Sequence, residues 1–521
     1  MFSELLLFIV IGIGAVFGGG ILAARMLREY GLSWTWAMLG FPAGIVLWEL
    51  NPLLGFAVLA VATRGCIVGA RWQREDIAHG ADHAEAAHAR LGIGDVMRRR
   101  EQDRQLRESG SWVHNERLIV GLDERGMAVS IPVGYESGSH TLVLGATGAG
   151  KTVSETWVVG RLIEQGHGAV VIDPKGDRLL CHELQVAADR AGAEFLQWTP
   201  EGPLAYNPYA QGSDSEIADK ALAGEVFTEP HYLRQAQRYI GHAVRVMRAA
   251  GVEVTPVSLM EHMDPRELEV SARKLPESEA EPVQAYLDSL GERQRRELAG
   301  VRDRLAILAE SDLRPWLEPN LDRPTLDIHQ AVEDRAVVYM SLDADRRLLL
   351  SAMLAGAVVI DLVTLVGRLQ RQPIPTVVMI DEFSAIAAEP VARLFGRARS
   401  AGISLILGTQ ELADLRGAED GALREQVLGN IATLIAHRQN VPESAELIAA
   451  MAGTKPVWVT TQQTEDAGGA SGKGSRRRGH EYEVHPSRIK RLGTGQAVII
   501  TPGAEQAPVL VRVNHPREVR P

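Results

Sequence analysis

Cysteine is nearly missing from this chain: there are two in 521 residues, Cys66 and Cys181. No disulfide framework can be drawn from two so far apart, which suits a body in a reducing compartment. Neither has an activating neighbour in sequence, so both read as structural. No Cys/His constellation has zinc spacing, and spacing reveals no Ser/His/Asp grouping, so neither a zinc centre nor a triad hydrolase is indicated. An excess of positive charge is missing too. The formal net charge is −11, which excludes a protein that coats its whole outer surface with nucleic acid and leaves room for a local basic channel.

The rest of the composition is that of a globular protein, with 45% hydrophobic and 23% charged residues. At about 150 residues per domain the length accommodates roughly three domains, with ample chain for a large core.

One stretch organises the chain. Gly145, Ala146, Thr147, Gly148, Ala149, Gly150, Lys151 and Thr152 fit the phosphate-loop pattern G-x-x-x-x-G-K-[ST] without a gap. Residues 141–144 before it are apolar or β-branched and read as a strand, and residues 153–163 after it read as a helix. The alternative, a chance match in a tight strand-to-helix turn, is disfavoured by this context. Glycine takes positive φ freely, so the backbone can bend around a polyphosphate and aim its N–H groups at it. Lys151 is placed to reach the β- and γ-phosphates of ATP, and Thr152 to hold Mg²⁺.

The N-terminus has a different character. Residues 5–24 carry no charge and are long enough to cross a bilayer. From residue 33 to residue 63 only Glu49 is charged, and a continuous helix would strand it in mid-membrane. Glu49-Leu50-Asn51-Pro52 reads instead as an interfacial turn, giving three crossings or two with an irregular middle. Trp34, Trp36 and Trp48 suit interfacial positions. Arg64, Arg71, Arg74 and Arg98–Arg100 put the body on the cytoplasmic side. Residues 71–110 read as a polar helical linker. Within it His79 and His83 lie one turn apart near Asp76 and Glu85, and for want of a third ligand cluster they read as a solvated face.

Beyond the linker the pattern alternates. Residues 117–121 and 127–133 flank Asp123-Glu124-Arg125-Gly126, a hairpin signal. After the phosphate loop and its helix, residues 169–172 form an apolar strand ending in Asp173-Pro174-Lys175-Gly176-Asp177. Residues 213–317 keep helical spacing throughout, as in Leu233, Ala236, Ile240, Val244 and Met247. Strands then recur at 336–340, 376–380, 403–407 and 431–436, with helices at 348–369, 391–400 and 442–451. Residues 462–481 are rich in Gly, Ser and Arg and read as a loop or disordered segment. The strands 496–501 and 509–513 are expected to close the sheet edge.

This order predicts an α/β fold with an anchor at 1–70, a linker at 71–110, and a nucleotide-binding domain in two parts, 111–212 and 321–521, split by an all-α domain at 213–320. Strand 376–380 runs into Asp381 and Glu382. Beside a phosphate loop, the first carboxylate supports Mg²⁺ and the second can polarise a water. Gln410 ends a neighbouring strand, where its amide can sense the γ-phosphate or hold that water.

With these residues in place, the chain resembles the type IV coupling proteins, the TraG/TraD-type ATPases of conjugation and type IV secretion. The resemblance rests on the membrane segment, the phosphate loop, Asp173 to Asp177, the helical insertion, Ile380-Asp381-Glu382-Phe383, Gly408-Thr409-Gln410, and Arg438-Gln439-Asn440 before a helix with Ala445-Glu446. It implies a RecA-like motor, a homohexamer on the cytoplasmic face of the inner membrane, and ATP-driven transfer of DNA, often with an attached relaxase, into a secretion channel. It also implies that Arg399, which matches by position an arginine of such motors, serves the neighbouring subunit's nucleotide. Two departures stand out: no sizeable periplasmic domain separates the crossings, and no acidic C-terminal tail follows the sheet. Two other readings use the same build: an ATPase delivering protein effectors, and a membrane receptor using ATP as an assembly switch.

Overall fold

The computed structural model describes residues 18–27, 33–78, 97, 111–134, 139–223, 230–319, 323–383, 388–416, 422–464, 470–503 and 507–516. Seven strands form the parallel heart of a sheet: β4 (Thr141–Leu144), β5 (Gly168–Asp173), β6 (Phe195–Trp198), β7 (Val337–Ser341), β8 (Thr376–Ile380), β9 (Ile403–Thr409) and β10 (Thr433–Ala436). Most of them are apolar along their whole length because both faces are covered. In β4, Val143 joins the core under the helices Lys151–Glu164 and Arg178–Ala191, while Leu142 and Leu144 join the opposite core. That second core is built with the helix Leu348–Leu369 and the inserted helices between residues 214 and 317.

The sheet is mixed. The final strands β13 (Gln496–Ile500) and β14 (Val509–Val513) are antiparallel, and they do not close an edge as expected from the sequence. β14 pairs onward with β2 (Arg117–Asp123), which also carries β1 (Val113–His114) and β3 (Ala128–Pro132). The expected hairpin at residues 123–126 therefore extends the sheet past the C-terminal strands. A Cβ on Gly121 would collide with the Arg512 backbone, so this join needs glycine on β2.

Residues 462–481 correct a second expectation. β11 (Thr454–Thr464) and β12 (Ala470–Tyr482) form a two-stranded antiparallel ribbon, in register from Thr454↔Tyr482 to Gln462↔Gly474. β12 is poor in strand formers, but its partner offers Val457, Trp458, Val459, Thr460 and Thr461, and the ladder is made by backbone groups.

Near the N-terminus, residues 18–27 are helical. The helices Gly40–Leu50 and Pro52–Ala78 fold back on each other around Asn51, at the turn read from Glu49 to Pro52. Asn51 Oδ1 accepts from Leu54 N at 3.3 Å, and Pro52 takes the first helical position. Small residues let the arms touch: a Cβ on Gly44 would lie 2.6 Å from Leu59. Two helices among the described residues are long and apolar enough to cross a membrane, Leu54–Trp72 and Leu348–Leu369. The second is 72% buried against 22% for the first, so it is a core helix of the sheet domain. The His79–Glu85 reading, residues 5–17 and Arg98–Arg100 lie outside the described residues.

Candidate nucleotide site

The residues assigned to the nucleotide site from the sequence, except Arg399, come together at the carboxyl ends of the parallel strands, where open α/β sheets hold their ligands. β4 delivers the phosphate loop. Gly148 has a φ of 74° and Gly150 a φ of 111°, so these two glycines shape the bend. The loop is held from three sides: Gly145 N donates to Thr409 O at 3.3 Å, Ala146 N to Arg438 O at 3.0 Å, and Gly495 N to Ala149 O at 2.9 Å. Thr494 Oγ1 donates to Gly148 O at 3.1 Å. The space beside Gly148 is open, with nothing within 4 Å of a Cβ placed there.

Lys151 opens the helix that follows the loop. Its Nζ pairs with Asp381 Oδ1 and lies 3.5 Å from Glu382 Oε1. Burial works against its charge, but the Glu155, Asp381 and Glu382 carboxylates overcome that and raise its pKa. Glu382 follows β8 with a φ of 46°, a left-handed conformation that is strained for a residue with a side chain. Its Oε1 accepts from Lys175 Nζ at 2.8 Å and from Gln410 Nε2 at 3.0 Å. Burial alone would push its pKa up, yet Lys151, Lys175 and Gln410 hold it below the usual range, so it stays ionised.

The residues that support this group are only partly legible in sequence. Asp173, quoted as part of a motif, is a hub: Oδ1 accepts from Lys175 N and Gly176 N, and Oδ2 from Asp177 N and Tyr339 Oη. It thereby shapes the turn that aims Lys175 at Glu382. Gln410 is steadied by Gln439, whose Nε2 donates to Gln410 O at 3.1 Å. His437 Nδ1 meets Gln496 O at 2.9 Å and Nε2 meets Ser154 Oγ at 2.8 Å. Burial lowers its pKa to about 4, so the neutral ring donates to the carbonyl and accepts from Ser154. Lys175 and Glu155 were given no role from the sequence. The available signals were a lysine in a tight strand-end turn and an acid one helical turn after the phosphate-loop lysine.

Arg399 is the exception. It sits in the short turn Arg399–Ala401 before β9, at the amino-terminal end of that strand. β9 runs from Ile403 to Thr409 between them, six steps or about 20 Å at ~3.3 Å per residue. It is exposed and near His140 rather than Lys151. It is also not at a lateral sheet edge, because β4 and β8 flank β9 on both sides. The geometry removes Arg399 from the site of its own chain.

The donor set fits a nucleoside triphosphate with Mg²⁺. A turned backbone with open space and a buried lysine suits phosphates, and the Thr152 hydroxyl and Asp381 carboxylate are hard oxygen ligands. Among the described residues no group of three His, Cys, Asp or Glu could hold a metal by itself. That accords with a magnesium ion completed by phosphate oxygens and water.

Residues 375–493 match the family model described as the TraM recognition site of TraD and TraG. No curated protein matches the sequence. Among solved structures, the plasmid coupling protein TrwB in complex with the GTP analogue GDPNP is similar at 16% identity and a TM-score of 0.54, covering 79% of this chain and 92% of that one. TrwB in complex with ADP and Mg²⁺ aligns at 16% identity, 79% and 92% coverage and a TM-score of 0.51. VirB4 of Thermoanaerobacter pseudethanolicus aligns at 14% identity, 78% and 98% coverage and a TM-score of 0.52. The fold is thus similar to that of TrwB and VirB4, and the resemblance to the type IV coupling proteins read from the sequence is borne out.

Proposed function

We propose that this chain is a membrane-anchored ATP hydrolase that works as a homohexamer and couples turnover to the transfer of DNA, with an attached relaxase, into a conjugation or type IV secretion channel. The observation that carries the reading is one constellation. Phosphate loop, Asp381–Glu382 pair and Gln410 converge at the strand ends of a coupling-protein-like fold. ATP bound with Mg²⁺ supplies the phosphoryl group and the cation that offsets its charge. Lys151 would bind the phosphates, and Thr152 and Asp381 would hold the metal. Glu382, ionised and oriented by Lys175 and Gln410, takes the proton of the attacking water. Gln410, hydrogen-bonded to that carboxylate, would report through its amide whether the γ-phosphate is present. Measuring ATP turnover with and without DNA tests the coupling, since neither rival reading ties hydrolysis to nucleic acid.

The anchor is the helical hairpin around Asn51 together with the apolar stretch before it, in the inner membrane. Arg64, Arg71 and Arg74 favour a cytoplasmic body, and Glu49 belongs at the outer interface. Single cysteines at Asn51 and at Ser475, in a chain stripped of Cys66 and Cys181, test this orientation. In intact cells an impermeant thiol reagent labels position 51 and spares position 475. Labelling of position 475 without permeabilisation reverses the orientation.

A further inference from the structure

Glu155 stands one helical turn from Lys151 and is fully buried. Its Oε1 lies 4.0 Å from Lys151 Nζ, and among the described residues neither carboxyl oxygen has a hydrogen-bond partner. Buried polar atoms left this way are costly and call for a reason. The surroundings are built to admit the group. A Cβ on Gly408 would run into Glu155 Oε1 and lie 2.7 Å from Asp381 Oδ1. The bare Cα of Gly408 therefore lets the two carboxyls meet over one strand, with Glu155 behind the metal-facing Asp381.

Lys151 pairs with Asp381, and phosphates in the loop would compete with that carboxylate for the lysine. We propose that Glu155 is a positioning residue for the metal: its buried carboxyl accepts a hydrogen bond from a water on the magnesium held by Thr152 and Asp381. The inference rests on the ATP–Mg²⁺ reading above. An oxygen of the carboxyl accepts that hydrogen bond as the amide oxygen of a glutamine would.

The test measures the affinity of the detergent-solubilised chain for a non-hydrolysable ATP analogue, in EDTA and in excess Mg²⁺, by calorimetry. The quantity of interest is the gain on adding Mg²⁺. Outer-shell partners of metal sites are typically worth about 10- to 100-fold in affinity, so Glu155→Leu reduces the gain about tenfold or more, and Glu155→Gln retains most of it. Glu155→Met repeats the test if the leucine variant does not fold. An equal gain in wild type and the leucine or methionine variant overturns the proposal, whether or not affinity falls in both buffers. Loss of the gain in Glu155→Gln as severe as in Glu155→Leu also overturns it, because the acceptor is then not what matters. A wild-type chain with no gain, or no binding, removes the ATP–Mg²⁺ premise itself.

Discussion

Glu382→Gln binds ATP and fails to release phosphate. The amide keeps the shape of the side chain and tolerates the same left-handed backbone, so the loop is not disturbed. Binding rests on Lys151 and the phosphate-loop backbone, which the change leaves in place. It removes one of the carboxylates that compete with phosphate for Lys151, 3.5 Å away, so affinity is at least that of the wild type. The amide cannot accept a proton, and loss of a general base costs roughly 10²- to 10⁴-fold in turnover. Lys151→Ala behaves differently. It removes the phosphate contact and leaves Asp381 and Glu155 in a buried site without their cation, with Lys175 beside Glu382 alone. Both binding and hydrolysis fail, and the melting temperature falls. Nucleotide binding and phosphate release on the solubilised variants separate the two cases. Normal hydrolysis by Glu382→Gln would remove the water-activating role from that residue.

The largest effect is expected from Arg399. In a single chain it is stranded at the far end of β9 from the phosphate loop. If it contributes to turnover, it must do so at a site that another subunit supplies. An arginine finger stabilises charge on the transferring phosphoryl group and is worth roughly 10³- to 10⁵-fold. Arg399→Ala and Lys151→Ala chains are therefore each nearly inactive alone. Mixed before assembly they recover part of the activity, because an intact loop on the Arg399→Ala chain faces an intact Arg399 on its Lys151→Ala neighbour. ATPase rate against mixing ratio, with co-assembly checked by native mass, reads this out. An inactive curve in verified mixed hexamers rejects action in trans.

What the sequence disclosed, and what it hid, follows from how far apart the interacting residues lie. The phosphate loop and the Asp381–Glu382 strand end are local patterns, read in a handful of consecutive residues. Gln410 was legible because its strand and terminus are also contiguous. The role of Lys175 was not, because it depends on Glu382, 207 residues away. Glu155 was hidden for a similar reason: its burial depends on Gly408 and Asp381, which no helical periodicity reveals. The ribbon Thr454–Tyr482 was missed because the composition of β12 argues against a strand, and only pairing with β11 overrides it. The place of β13 and β14 was misjudged because the first hairpin returns to β14 across almost the whole chain. The sheet domain's long apolar helix Leu348–Leu369 shows the converse. Its composition alone would pass for a membrane span, and its context between sheet strands identifies it as core.

ATP turnover of the assembled, solubilised chain, measured as DNA is added, decides whether hydrolysis at Lys151 and Glu382 is tied to DNA. A protein of net charge −11 that grips DNA must do so through concentrated local positive charge, contacting phosphates rather than bases. The account predicts that turnover rises with DNA of any sequence, that the rise fades steeply as salt increases, and that Glu382→Gln abolishes it. Turnover that is the same with and without DNA at every salt concentration would contradict the account and point to a protein cargo or an ATP-gated assembly instead.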